Sequence, residues 1–361
     1  MMNSRLSRSL PALLIWTSLW GCAAPKQVVY VAVGKDQRIA VLDIDGRSGQ
    51  LVPRSEISLS GQPGSLAISP DRRFLFAAVR NAGAAAALAI DPKTGDLQVL
   101  GETDIGGNAA YLSVDASGRY LLGAYYRDGK AAVHAIGPDG RVRAGPIQAV
   151  PTAEKAHSVL LHPDNRFAFV PHTGPNQIFQ FTFDASKGRL SPAAPAVVTA
   201  PEGAGPRHYC YHPVLDVVYF VNELGSSVTA YGLDADAGTL TALQTLPTLP
   251  DNFTERNSCA DVHITPDGRY LYASNRGHNS LAAYAVDGDT GRLTFIDRFE
   301  TEAIPREFAI DTTGRFLYAA GQKSGRLAAY RIDPATGRLN RFATYDVGRG
   351  PAWVTVIELP R

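Results

Sequence analysis

The residues with the most chemical potential in this chain are His157, Glu223, Arg207, Arg276 and Arg306: an imidazole, a carboxylate and three guanidinium groups. An imidazole or a carboxylate can take a proton from water. Arginines can hold an anion, or the oxyanion that forms when water attacks a carbonyl. Such a set suits hydrolysis of an ester-type bond in an anionic substrate. No H-E-x-x-H, paired cysteines or acidic EF-hand loop offers a metal site. No Gly-x-Ser-x-Gly elbow accompanies a triad, and no Gly-rich phosphate loop is present. The expectation is therefore chemistry without metal or cofactor.

These residues lie far apart in sequence, so repeated elements must gather them. Seven segments read as strands: 28–33, 74–79, 120–125, 167–172, 217–222, 270–275 and 316–321. Six follow a tight turn, such as Ser69-Pro70-Asp71 or Thr265-Pro266-Asp267-Gly268. A third strand follows each, then an Asp/Gly turn and a short outer strand. Asp91-Pro92-Lys93-Thr94-Gly95-Asp96-Leu97, for example, recurs as Asp333-Pro334-Ala335-Thr336-Gly337-Arg338-Leu339. The inner turns, at positions 70, 116, 163, 213, 266 and 312, recur every 46 to 53 residues. That period with four strands per copy means propeller blades. Helical periodicity is absent. The first copy lacks an innermost strand, and the chain ends on one, from Trp353 to Leu359. The expected fold is an all-β, seven-bladed propeller of four-stranded antiparallel blades, closed by the C-terminal strand pairing into the N-terminal blade.

Aligned columns separate structural positions from unusual ones. The residue opening each innermost strand is Gly64, Ala110, His157, Arg207, Ala260, Arg306 and Ala352: small, except where it is His or Arg. The residue beyond each second strand is Gly34, Arg80, Tyr126, Thr173, Glu223, Arg276 and Gln322. Antiparallel pairing brings the two columns to one mouth of the central channel. His157, Arg207, Glu223, Arg276, Arg306 and Gln322 are expected to converge there, with His172, His208, Asn222, Asp261, His263 and Asn275 close by. A concave site of this composition is a binding site by default. Plainer roles compete at some positions. His263 also fits a hydrogen-bonded core histidine, and Glu223 fits a structural ion pair. His162 and His212 read as turn residues, and Arg73, Arg119, Arg166, Arg269 and Arg315 as surface residues flanking turns.

Residues 1–26 are set apart from the fold at 27–361. Arg5 and Arg8 precede the apolar stretch from Leu10 to Trp20, and Leu19-Trp20-Gly21-Cys22 follows the layout of a lipoprotein leader with Cys22 as the lipidated residue. The expectation is an exported protein, periplasmic or held to a membrane only through a lipid. The formal charge is +1, and two of its positive charges belong to the leader. A near-neutral surface argues against nucleic acid as a partner. Cys210 and Cys259 fall on neighbouring innermost strands, offset too far for a disulfide, and are expected to be free thiols.

Several runs resemble the bacterial lactonase family that includes propeller-type 6-phosphogluconolactonase. They are Gly205-Pro206-Arg207-His208, Val221-Asn222-Glu223-Leu224, Ala260-Asp261-Val262-His263, Ser274-Asn275-Arg276, Pro305-Arg306-Glu307-Phe308 and Ala320-Gly321-Gln322. The resemblance covers residues 27–359, extends to the related carboxymuconate cyclases, and is strongest after Ala156. It implies catalytic positions at His157, Arg207, Glu223 and Arg276. Arg306, His208, Asn222, Asn275, His263 and Gln322 are the expected substrate-binding set. Two departures bear on the substrate. The leader points to export, whereas family members acting on phosphorylated lactone are cytoplasmic. Asn176-Gln177 stands where many members carry Asp-Arg. The reading is hydrolysis of an anionic sugar-type lactone, without metal, by a monomer. His157 is preferred as base, because a carboxylate set among arginines is a weak one. A carboxymuconate-type cycloisomerase acting on a dicarboxylate and a non-catalytic exported binding propeller are the alternatives.

Overall fold

A computed structural model describes residues 26–360, so Cys22 and the leader, apart from Lys26, lie outside the described residues. The described chain forms seven four-stranded antiparallel sheets around a central channel. In the blade that carries Arg207, the strands are Pro206–Tyr211, Val217–Asn222, Ser227–Asp234 and Thr239–Pro247, innermost to outermost. The second strand is buried along its whole length, while the outermost alternates toward solvent. Neighbouring blades cover both faces of the inner strands, so these are apolar on both sides. Among the described residues the one helical element is a short 3-10 segment, Gly34–Asp36.

The inner turns form as their residue types require. His212 Nδ1 accepts from the Val214 and Leu215 N–H groups at 3.1 and 2.8 Å. Asp115 and Asp311 do the same with carboxylates, each taking two N–H groups just ahead of the second strand. Arg73, Arg119, Arg166, Arg269 and Arg315 each lie over the aromatic ring that follows them, as Arg166 does at 4.8 Å from the Phe167 centroid. Their cationic heads stay at the surface while the stems cover rings.

The core lies between blades rather than within them. Val217, Tyr219 and Val221 of one blade pack against Leu271, Ala273, Ala282 and Tyr284 of the next. A polar clasp recurs with this packing. The second-strand tyrosines Tyr30, Tyr219, Tyr272 and Tyr318 donate to the carbonyls of Gly95, Gly291, Gly337 and Gly49, each in the outer turn of the following blade, at 2.7 to 2.8 Å. Gly337 shows why glycine stands there. Its φ is +69°, and a Cβ would meet the Tyr270 ring at 2.3 Å.

The ring closes as the sequence predicts. Strand Pro351–Glu358 pairs antiparallel with Gln27–Val33, placing Val356 opposite Val29 and Val354 opposite Val31. Closure removes the free sheet edge. Cys210 and Cys259 are both free.

One irregularity matters for the site. In five of the seven blades the pairing between first and second strands slips near the channel: around 64–65, 207–208, 260–261, 306 and 352. Such a bulge breaks the strict alternation of side chains and re-aims them. Successive residues, Arg207 and His208 or Arg306 and Glu307, thereby both turn toward the channel. The His157 strand departs further: only Leu160–Leu161 is regular, and His157 is tied by its N–H to Pro171 O at 3.0 Å.

Candidate functional site

The columns converge on a cavity of about 340 Å³ at one channel mouth. His157 and Arg306, from the starts of innermost strands, line it together with Arg80, Tyr126, Glu223 and Arg276, from the ends of second strands. Asn108 and Arg127 complete its polar wall. Arg207 lies beneath, fully buried.

Glu223 is the one carboxylate on the wall, and two arginines hold it. Arg276 Nη2 donates to Oε1 at 2.7 Å, and Arg207 Nε lies 3.5 Å from Oε2. Arg276 is fixed further by the Ser258 and Cys259 carbonyls, at 3.4 and 3.0 Å. Arg207 Nη1 donates to Ala260 O and lies 3.2 Å from His208 Nε2. Among the described residues, neither Arg80 nor Arg306 forms an ion pair.

The distribution of unbonded polar atoms is uneven. Half of the buried side-chain nitrogens and oxygens without a hydrogen bond, among the described residues, belong to this cluster: Arg80 Nε, Arg207 Nε and Nη2, Arg306 Nε, His157 Nδ1, Glu223 Oε2 and Glu307 Oε1. Buried polar groups are normally bonded, so the four guanidinium nitrogens among these seven atoms, donors with no acceptor bonded, mark a place suited to an external acceptor. Burial, then Arg276 and Arg306, pulls the Arg207 guanidinium down to about 9. Burial, then Arg80, brings Arg306 to about 10. Burial and the surrounding cations, Arg207 foremost, hold His157 well below the ordinary histidine range, so it is a neutral imidazole at neutral pH. Tyr126 packs edge-on against it at 5.5 Å.

A second layer lies deeper in the channel. His208 is edge-on to Tyr111 at 5.1 Å, His157 at 5.0 Å, and tilted against Trp353 at 5.8 Å. Asp261 bonds His208 Nδ1 at 3.0 Å and His263 Nε2 at 2.9 Å. Glu307 Oε1 lies 3.8 Å from His208 Nδ1 and 3.9 Å from Arg207 Nη1. Burial and the adjacent Asp261 push the Glu307 carboxyl well above its usual range, which favours its protonated form. His208, Asp261 and Glu307 offer ligand-type atoms within 4.8 Å of one another. The guanidinium of Arg207 stands against them, and its charge opposes a second cation there.

Several sequence expectations are redirected. His263 does not reach the mouth. Its place near the end of its innermost strand puts it in a cavity of about 320 Å³ at the opposite end of the channel, with its side chain 42% exposed. Asn222 turns into its own hairpin, donating to Ser227 and Thr229 at 2.9 Å. Asn275 Oδ1 accepts from Thr248 at 2.8 Å and Asn257 at 3.1 Å, stitching two blades together. His172 is buried against Phe179 and bonds Glu154 O. His208 is buried below Arg207 rather than lining the cavity. Gln322 lines a neighbouring cavity of about 450 Å³ that shares Arg80 with the first. Arg80, Tyr126, Arg127, Asn108 and Glu307 were absent from the expected set. The aligned column already named Arg80 and Tyr126. Only the bulge makes Glu307 visible, because alternation after Arg306 would turn it away.

A family profile described as "Lactonase, 7-bladed beta-propeller" matches residues 27–356. The chain is 40% identical over 334 residues to a 6-phosphogluconolactonase of Pectobacterium carotovorum, covering 92% of this chain and 99% of that one. It is 38% identical over 331 residues to one from Yersinia pestis, covering 92% and 98%. Among solved structures, the Pseudomonas aeruginosa periplasmic gluconolactonase PpgL superposes with a TM-score of 0.86 at 28% identity, covering 93% of this chain and all of that one.

Proposed function

The chain belongs to the seven-bladed β-propeller lactonase family, and from that premise we propose that it hydrolyses an anionic sugar-type lactone in the arginine-lined cavity. The observation that carries the reading is the set of buried guanidinium N–H groups without partners around a cavity large enough for one sugar ring. His157, neutral at the wall, takes a proton from water as the oxygen attacks the lactone carbonyl, then gives it to the ring oxygen as the C–O bond breaks. Its depressed pKa makes the protonated form a ready donor for that second step. Arg207, Arg276 and Arg306 supply positive charge where the oxyanion and the substrate's own anion lie. Glu223 orients Arg276 and Arg207 through the contacts at 2.7 and 3.5 Å.

The 6-phosphogluconolactonase relatives favour a phosphorylated lactone. The periplasmic gluconolactonase neighbour, together with the leader at residues 1–26, favours export and an unphosphorylated sugar lactone. Mass spectrometry of the mature N-terminus and parallel assays of both lactones separate the two. In either case His157→Ala and Arg276→Ala are expected to lower kcat/KM about 100-fold or more. Unchanged turnover in both variants, on a lactone the parent hydrolyses, sinks the site assignment. The excess of cations would serve an unsaturated dicarboxylate as well. Loss of muconate absorbance on mixing would favour cycloisomerisation.

A further inference from the structure

Arg207 owes its aim to a residue that cannot touch substrate. Its Nη1 is spent on Ala260 O and on His208 Nε2 at 3.2 Å, which leaves Nε and Nη2 without a hydrogen bond, Nε facing Glu223 Oε2 at 3.5 Å. A guanidinium has only hydrogens to give, so His208 Nε2 must be the unprotonated nitrogen. The ring proton then sits on Nδ1, 3.0 Å from Asp261 Oδ1. Asp261 is itself fixed from two sides, by His263 Nε2 at 2.9 Å and by the Phe308 N–H at 3.3 Å. We propose that Asp261 and His208 are positioning residues for Arg207. Asp261 locks the His208 tautomer, and the locked imidazole accepts from Nη1 and turns the other guanidinium edge toward the cavity.

Packing alone does not explain a histidine at this position. The ring makes edge contacts with Tyr111, His157 and Trp353. An apolar aromatic would fill that volume without the need to bury a second polar group. Burial, then Arg207, brings His208 down to about 3, so the ring stays neutral and able to accept throughout the working range. The same logic orients imidazoles elsewhere through the partner on the other nitrogen. The role rests on the lactonase reading, since Arg207 matters only if the cavity holds the reacting group.

Two measurements test it. Side-chain ¹⁵N spectra of histidine-labelled protein, taken without substrate from pH 5 to 8, should show His208 with a protonated Nδ1 and a bare Nε2 throughout. An Nε2–H tautomer overturns the proposal whatever the activity. The second test compares two amides with 6-phosphoglucono-δ-lactone and glucono-δ-lactone as probes. Glutamine at 208 places an acceptor where Nε2 stood, whereas asparagine reproduces only the Nδ1 side. His208→Gln should keep kcat within about threefold, while His208→Asn should lose about tenfold or more in kcat with a smaller change in KM. Equal losses in both variants, tracking their melting temperatures, would reduce His208 to packing and overturn the proposal. If the parent hydrolyses no lactone, the lactonase reading fails, while the spectra still decide the tautomer.

Discussion

At the scale of single residues, the cluster is a balance of charges in which each group's state follows from its neighbours. Glu307 shows this best. Burial, together with the Asp261 carboxylate, raises its pKa well above the usual range, against the pull of Arg207. A carboxyl whose folded pKa is raised holds a proton that the unfolded chain releases. Stability is therefore lost as pH rises from the unfolded value, about 4.3, toward the folded one. Glu307→Gln mimics the protonated form and removes that loss. It should melt no lower than the parent at pH 5 and higher at pH 8, by calorimetry. A clear drop at both pH values would mean that Glu307 is ionised. Arg80 belongs at the same scale. It lines both neighbouring cavities and has an unbonded, buried Nε. Arg80→Ala is expected to raise KM for an anionic lactone about tenfold with a smaller change in kcat, in steady-state assays. The sequence made His157, Arg207 and Arg306 legible because small residues fill the rest of their column, and Glu223 and Arg276 because antiparallel pairing brings their mixed column to the same mouth. It could not reveal Glu307, or the demotion of Asn222 and Asn275, because those depend on a bulge and on hairpin hydrogen bonds rather than on residue type.

At the scale of elements, strand identity was readable because each blade obeys the same turn chemistry. Gly95, Gly291 and Gly337 sit at matching points of repeated outer turns. The structure adds what those glycines do for the next element. Each takes a tyrosine hydroxyl from the preceding blade, in a backbone conformation that side chains resist. Gly337→Ala should lower stability by about 1–3 kcal/mol in denaturant unfolding, since it combines a positive φ with a Cβ driven into Tyr270. Activity per folded molecule should not change, because the turn lies at the rim of the disc. The channel end of the innermost strands was less legible. Alternation predicts one inward residue where the bulges supply two, so the sequence could not place His208 where it is found, in the channel beneath Arg207.

At the scale of the whole molecule, the channel is electrically lopsided. One mouth carries Arg80, Arg127, Arg276 and Arg306, while the cavity at the other is lined by no lysine or arginine among the described residues. Such a field draws anions to one end and weakens with salt. KM for an anionic lactone should rise as ionic strength goes from 0.01 to 1 M, whereas a neutral lactone should respond far less. Acid should also weaken the fold. His134, at about 4, and His208, at about 3, are lowered chiefly by burial. A histidine with a depressed folded pKa binds its proton more readily when unfolded. Each therefore costs about 1.4 kcal/mol per pH unit as pH falls from about 6.5 to its folded value. Melting temperature should decline over that interval, and His134→Gln should flatten the decline.

The clasps also bear on where the chain may begin. Tyr318 reaches Gly49 across the N- and C-terminal junction just as Tyr219 reaches Gly291 between two ordinary neighbours. At that same junction the Leu359 N–H lies 2.8 Å from Lys26 O. Residues Lys26 and Leu359 can therefore be joined and new termini opened in the exposed link 251–256, between the blades that carry Arg207 and Arg276. Such a circular permutant would keep every four-stranded sheet in one continuous stretch of chain. Its seam would rest on packing and isolated hydrogen bonds between two blades, such as Cys259 N–H to Glu223 O at 3.2 Å, and its survival would measure how much of ring integrity belongs to the shared sheet.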